Sequence, residues 1–223
     1  MPENDRKPSL RFKGFNDAWE QYKLKQVTVY KNGKGHEHLQ SDIGDYELIN
    51  LNSISIDGGL KPSGRFVSYS DDTLSKDDLV MVLSDVAHGD LLGRVALIPE
   101  NNKYVLNQRV ALLRSNGVLN PNYLYYIINN NQNYFKLQGA GSSQLNISKD
   151  SVENFSFLAP NSHEQSDLTL FFDKIDNLIT LHQRKYDKLV SVKKALLDKM
   201  FPENGNDVPK VRFKGFTDAW EQC

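Results

Sequence analysis

The sequence is nearly without cysteine: Cys223 is the one such residue in 223. A single thiol forms no internal disulfide, and with five scattered histidines it builds no structural zinc cluster, so the pattern excludes a disulfide scaffold and points to a reducing, cytoplasmic setting. Long hydrophobic runs are missing too. No stretch approaches the roughly 18 to 20 apolar residues of a membrane span, and the opening MPENDRKPSL has no apolar signal core, so neither membrane insertion nor secretion is expected. Net charge is close to absent, with 27 basic against 28 acidic residues, which argues against a protein that grips nucleic acid with a uniformly basic surface. What the chain does have is 39% hydrophobic residues, with 11 Phe, 10 Tyr and 2 Trp, enough to bury a core. Its length suits one domain, or one domain and an extended element.

A local absence is more telling than the net charge. Between Asn101 and Lys149 there is no Asp or Glu, while Lys103, Arg109, Arg114, Lys136 and Lys149 are present with 15 Asn or Gln and five of the ten Tyr. This reads as a positive stretch rich in hydrogen-bonding groups.

The chain also repeats itself. Residues 10–21 read LRFKGFNDAWEQ and residues 211–222 read VRFKGFTDAWEQ, ten identities in twelve positions, and the tripeptide PEN precedes each copy at 2–4 and 202–204. A cassette of about two hundred residues therefore begins, runs once and begins again. Within it the pattern changes near Pro160. Before that point, short apolar runs punctuated by Gly, Asn and Asp predict strands at 46–50, 78–84, 94–99 and 104–114. Residues 123–130, with 134–137, predict a short helix entered after Pro121. After Pro160, Asn161 or Ser162 can cap a helix whose first turn Glu164 favours, and no Gly or Pro follows before Pro202. Leu168, Ile175, His182, Leu189 and Leu196 repeat at sevens, with Phe171, Phe172, Leu178, Ile179, Tyr186, Val192 and Met200 between them. The spacing predicts an amphipathic helix of about 38 residues, roughly 57 Å long, with a stripe wide enough to need a partner helix. Pro202 and Gly205 are its stop signals.

Catalytic motifs are scarce. Asn120 to Tyr123 read NPNY, one residue from the Asn-Pro-Pro-Tyr loop with which amino-methyltransferases hold a flipped base, but no glycine-rich cofactor loop precedes it and a helix start on Pro121 suffices. Gly33, Lys34 and Gly35 lack the GK[ST] of a phosphate-binding loop, and His36 and His38, flanking Glu37, lack further metal ligands at useful spacing. The chain shows no active site and no metal site of its own. What remains is a binding signature. Asn107, Gln108 and Arg109 lie beside a predicted strand, and residues 139–148, GAGSSQLNIS, form a glycine-flexed loop of polar side chains. Gln and Asn can read adenine edges, Arg and Lys guanine, and loop amides can hold phosphate.

Taken in order, several segments resemble the specificity subunit of type I restriction-modification systems. They are the RFKGF…WEQ opening at 11–21, LNQRV at 106–110, GSSQLNIS at 141–148, HEQ at 163–165, FF at Phe171 and Phe172, QRK at 183–185 and MFP at 200–202. The resemblance covers essentially the whole chain. It implies an α+β fold: a mixed α/β target recognition domain followed by one long amphipathic helix, the spacer, that pairs antiparallel with another. Family members usually hold two of each, together with methyltransferase subunits that use S-adenosylmethionine to methylate adenine.

This chain has one of each, so it is expected to be a half subunit, whether a natural short gene, a truncated product or a recombination cassette. The expected organisation is an N-terminal repeat copy at 1–21, a DNA target recognition domain at 22–160, a spacer helix at 161–202 and the start of a second, truncated repeat at 203–223. The recognition domain would read half of a bipartite site in double-stranded DNA. Lys31, Lys34, Arg65, Arg94, Arg109 and Lys149 are the phosphate candidates, and Asn107, Gln108, Ser143, Gln144 and Asn146 the base-edge candidates. Leu168, Phe172, Ile175, Ile179, His182, Leu189 and Leu196 would form the seam of an antiparallel homodimer, and Phe12, Phe15 and Trp19 would dock the methyltransferase. No cofactor is expected in this chain. S-adenosylmethionine, methyl transfer and cleavage belong to the methyltransferase and restriction subunits. The competing expectation is an interaction module or decoy that occupies the methyltransferase or a full-length specificity subunit without reading DNA.

Overall fold

The computed structural model describes residues 7–36, 38–86, 89–202 and 206–221. The first PEN tripeptide, all but Pro202 of the second, Glu37, Gly205 and Cys223 lie outside them. The chain divides into two compact units, Met1–Thr169 and Leu170–Cys223, with the boundary inside the long helix.

The first unit is built around a strand with no exposed residue. β5 (Leu79–Val82) reads LVMV and is buried at every position, so both its faces need cover. Successive side chains of a strand point to opposite faces. Leu79 and Met81 therefore join Val95 and Leu113 in one core, against Leu24, Leu124, Ile128, Phe135 and Phe155. Val80 and Val82 join Ala96, Ile98, Val110 and Leu112 in another, against Ile49, Ile54, Leu74 and Leu106. The sheet between the cores runs β2 (Thr28–Asn32), β9 (Val110–Ser115), β5, β7 (Val95–Leu97), antiparallel throughout. Its first face carries the helices α1 (Leu24–Val27), α2 (Pro121–Asn130), α3 (Gln132–Leu137) and α4 (Lys149–Glu153). The second face meets a three-stranded sheet ordered β4 (Phe66–Val67), β3 (Tyr46–Ile49), β8 (Tyr104–Leu106), in which β3 and β8 are parallel. Two antiparallel ribbons complete the unit: β1 (Glu20–Lys23) with β11 (Ser156–Ala159), and β6 (Ser84–Val86) with β10 (Gln144–Asn146).

The apolar run 104–114, read above as one strand, is two strands in two sheets. Between them the Asn107 Oδ1 accepts the Gln108 N–H at 2.9 Å and Arg109 takes a left-handed φ of +67°, which turns the chain from β8 into β9. NPNY is a helix start: the Asn120 side chain accepts the Asn122 N–H at 2.8 Å ahead of Pro121. Tyr123 is buried in the first core with its hydroxyl donating to the Leu158 carbonyl at 2.8 Å, so it cannot serve as a base-holding ring.

The long helix, α5 (Ser162–Met200), has 39 residues, about 58 Å at 1.5 Å per residue. Asn161 is its cap, accepting the Glu164 N–H at 3.0 Å. Within the second unit, Phe171, Phe172, Leu178, Ile179, Tyr186, Leu189, Val192 and Leu196 are exposed. The second repeat copy folds back on the helix end, where the Val211 N–H donates to the Lys199 carbonyl at 3.0 Å and the Phe201 and Trp220 rings meet edge to face at 5.7 Å. Leu189, Val192, Leu196, Phe201, Phe213 and Trp220 line an open groove of about 640 Å³. Among the described residues no helix is long and apolar enough to cross a membrane.

Candidate nucleic-acid interface

The polar residues singled out in the sequence gather at one end of the central sheet. The register there is set by backbone bonds running across four segments. Gly33 donates to Val110 O, Leu83 to Arg109 O, Ile147 to Leu83 O and Val82 to Arg94 O, each at 2.9 Å. These bonds bring Lys34, Arg94, the Asn107–Gln108–Arg109 turn and the Gln144–Asn146 strand into one neighbourhood. Gly33 is required for it, since a Cβ there would stand 1.8 Å from the Asn107 carbonyl oxygen. Asn146 Oδ1 accepts from Ser84 Oγ at 2.5 Å and from Gln144 Nε2 at 3.3 Å, so Asn146 orients Gln144. Ser143 lies in the exposed turn just before β10. Lys149 caps this edge with its ammonium 5.5 Å from the Tyr30 ring centroid. Burial pushes the Tyr30 phenol up to about 12, keeping it neutral as it donates to Asn32 Oδ1 at 2.6 Å.

The positive charge read from the acid-free stretch is largely cancelled in space. Arg114 holds buried Asp78 through Nε and Nη2 at 2.7 and 2.6 Å, Lys136 pairs with Asp90 at 2.7 Å, Lys103 with Glu100 at 2.5 Å and Lys149 with Glu153 at 3.5 Å. Each of those acids comes from outside the stretch or its polar core. Lys31 is paired with Asp72 at 2.5 Å, and Arg65 with Asp42 beside the three-stranded sheet. Arg94 donates to the Asn129 carbonyl at 3.2 Å, with its Nε buried. Among the described residues, Lys34 and Arg109 have no ion-pair partner, and both are exposed. The arrangement therefore offers two unpaired cations flanking amides, a set able to meet phosphate oxygens and base edges. Among the described residues no group of three or more His, Cys, Asp or Glu could hold a metal.

A second set of polar residues, at the start of α5, went unread as a site. Glu164 is 1% exposed, yet it carries a charge network: Arg11 donates through Nε at 2.8 Å and Nη2 at 2.5 Å, and Trp19 through Nε1 at 3.2 Å. The bond to Glu164 raises the Arg11 pKa further, so the guanidinium stays cationic. Gln165, also buried, accepts the Asn120 N–H at 3.0 Å and donates to the Pro160 carbonyl at 2.8 Å. The Glu and the Gln of the HEQ motif are thus both joints. One ties the first repeat copy to the helix and the other ties α2 to it. The signal was available in the motif, but burial of a glutamate is not visible in a string of letters. Trp19 packs edge to face on Tyr123 at 6.4 Å and is engaged within its own unit, while Phe12 and Phe15 are half-buried. Leu168, expected above in a dimer seam, is half-buried and packs on the first core of its own chain. Ile175 is half-buried, and Phe172, Ile179, His182, Leu189 and Leu196 are exposed along the helix.

The family model of the type I restriction modification DNA specificity domain matches residues 16–190, from the first repeat copy through most of α5. The chain belongs to that family. A relative among specificity subunits is the putative type I restriction enzyme MjaX specificity subunit of Methanocaldococcus jannaschii, 24% identical over 197 residues, covering 83% of this chain and 46% of the relative. The fold agrees with solved specificity subunits. The S subunit from M. genitalium superposes with a TM-score of 0.53 at 21% identity, covering 83% of this chain and 49% of that one. The HsdS subunit from Thermoanaerobacter tengcongensis gives 0.57 at 17%, covering 85% and 46%. A chain from a structure of type I R-M complex assembly and conformational transition gives 0.61 at 16%, covering 84% and 47%. The chain thus spans about half the length of the specificity subunits it matches.

Proposed function

We propose that this specificity-family chain reads one half of a bipartite site in double-stranded DNA through the end of its central sheet, and that it carries the adenine methyltransferase subunits of a type I complex. The observation that carries this reading is the gathering of Asn107, Gln108, Arg109, Lys34 and Gln144 at one sheet end by the backbone bonds from Gly33, Leu83 and Ile147. Rigid strands behind adaptable polar turns give the fixed geometry that base-edge hydrogen bonds need. Lys34 and Arg109 supply the phosphate attraction. Gln144, whose Nε2 donates to Asn146 Oδ1 at 3.3 Å, is the base reader in this proposal. Methyl transfer, with S-adenosylmethionine, and cleavage are assigned to the methyltransferase and restriction subunits. The exposed stripe of α5 supports antiparallel pairing with a second long helix, in a homodimer of this chain, which would set the distance between half-sites.

Methylation sequencing of a host carrying this gene with its methyltransferase gives the target. On that target, Gln144→Ala should relax preference at one position, whereas Arg109→Ala should weaken all sequences alike and reduce the salt slope by about one. Binding by both variants equal to that of the unmodified chain would remove the sheet end from the DNA interface. Leu189→Asp should leave the first unit folded and give monomers in sedimentation equilibrium, because a charge in a desolvated seam costs several kcal/mol. A monomeric unmodified chain would rule out the homodimer.

A further inference from the structure

The two repeat copies adopt the same turn. Gly14 and Gly215 both take left-handed backbone, at φ +107° and +101°. The second Phe of each copy donates its N–H to the carbonyl of the first, at 3.5 Å for Phe15 and 3.3 Å for Phe216. Arg11 and Arg212 each donate from Nη1 to the carbonyl of the aspartate six residues on, at 2.7 and 2.5 Å. They differ in what the rest of the guanidinium holds. Arg11 turns Nε and Nη2 onto Glu164 beside the Trp19 indole, whereas among the described residues no carboxylate receives Arg212 or Trp220. Phe213 and Phe216 stand 72% and 67% exposed.

We propose that the second copy is an alternative ligand for the Glu164 site and that it occupies that site in another copy of this chain. The same residues on the same turn present the same donors, so the site that fits Arg11 and Trp19 fits Arg212 and Trp220. The second copy is bonded to the last turn of α5 through the Val211 N–H and the Lys199 carbonyl, whereas Glu164 lies in the first turn of that helix, so the carboxylate it would take is that of another copy. One carboxylate serves both copies, so occupancy is exclusive: the second copy enters where the first has left. The first holds the site at rest because it is continuous with β1 of the same unit. The inference shares with the DNA reading only the second copy of the chain, and base contacts play no part in it.

The test uses the full chain, whose only tryptophans are Trp19 and Trp220. In R11A/W19F the first copy is disabled and Trp220 is the sole indole. Acrylamide quenching of Trp220 should fall severalfold from dilute to concentrated protein, and adding R212A should restore full quenching at every concentration. In W19F alone, with Arg11 in place, Trp220 should remain open. Quenching of R11A/W19F that is independent of concentration, or protection that persists in R212A, overturns the proposal. Protection that persists in R212A and disappears with L189D would assign the shielding to helix pairing, leaving the homodimer intact. Should R11A/W19F not fold, R11Q/W19F keeps a neutral amide donor beside Glu164 and removes the competing cation, and the same outcomes decide.

Discussion

Residues 10–21 and 211–222 carry nearly one sequence, and the first is a fixed part of a folded unit while the described part of the second, 211–221, sits at a helix end with Phe213 and Phe216 exposed. The turn is the same in both, down to the left-handed glycine and the arginine bond to a backbone carbonyl. A dozen residues therefore encode their own conformation but not their burial. Burial is decided by whether a carboxylate such as Glu164 is present to receive the arginine and the indole. A half-exposed aromatic motif is a joint or a loose end according to its counterpart.

Paired substitutions break or sharpen that comparison. Arg11→Ala leaves Glu164 buried without its partner and should lower the stability of the first unit by about 3 kcal/mol, whereas Arg212→Ala should change it by less than about 0.5 kcal/mol. Urea unfolding of dilute protein, followed by far-ultraviolet circular dichroism, measures both, and equal losses would mean that the copies are equivalent after all. The smaller effect is expected at the indoles. Trp19→Phe removes one hydrogen bond to Glu164 and should cost about 1 kcal/mol in the same assay, while Trp220→Phe should leave the first unit unchanged.

Much of this was legible in the letters. The heptad run and the absence of Gly and Pro located α5, and Asn161 and Pro121 marked two helix starts, because caps and periodicity are local properties. The polar turn at 107–109 and the loop at 139–148 were singled out by composition, but their meeting through Leu83 depends on a pairing between β6 and β10 that no window of sequence contains. The run at 104–114 misled because its strand propensity is continuous while its backbone is broken by the left-handed Arg109 between β8 and β9. The acid-free stretch misled for a related reason. Charge is balanced between neighbours in space, and Asp78 and Asp90 reach Arg114 and Lys136 from another part of the chain.

The position of β9 has a mechanical consequence. This six-residue strand, about 17 Å long, begins at the turn carrying Arg109 and ends at Ser115, whose hydroxyl holds the Leu119 carbonyl one residue before Asn120 meets Gln165. The proposed reading turns and the helix joint thus sit at opposite ends of a strut buried on both faces over most of its length. On the proposed reading, turns of equal length could be exchanged at one end while the contacts of the joint at the other stay as they are. Such a molecule would change its vocabulary while keeping its grammar.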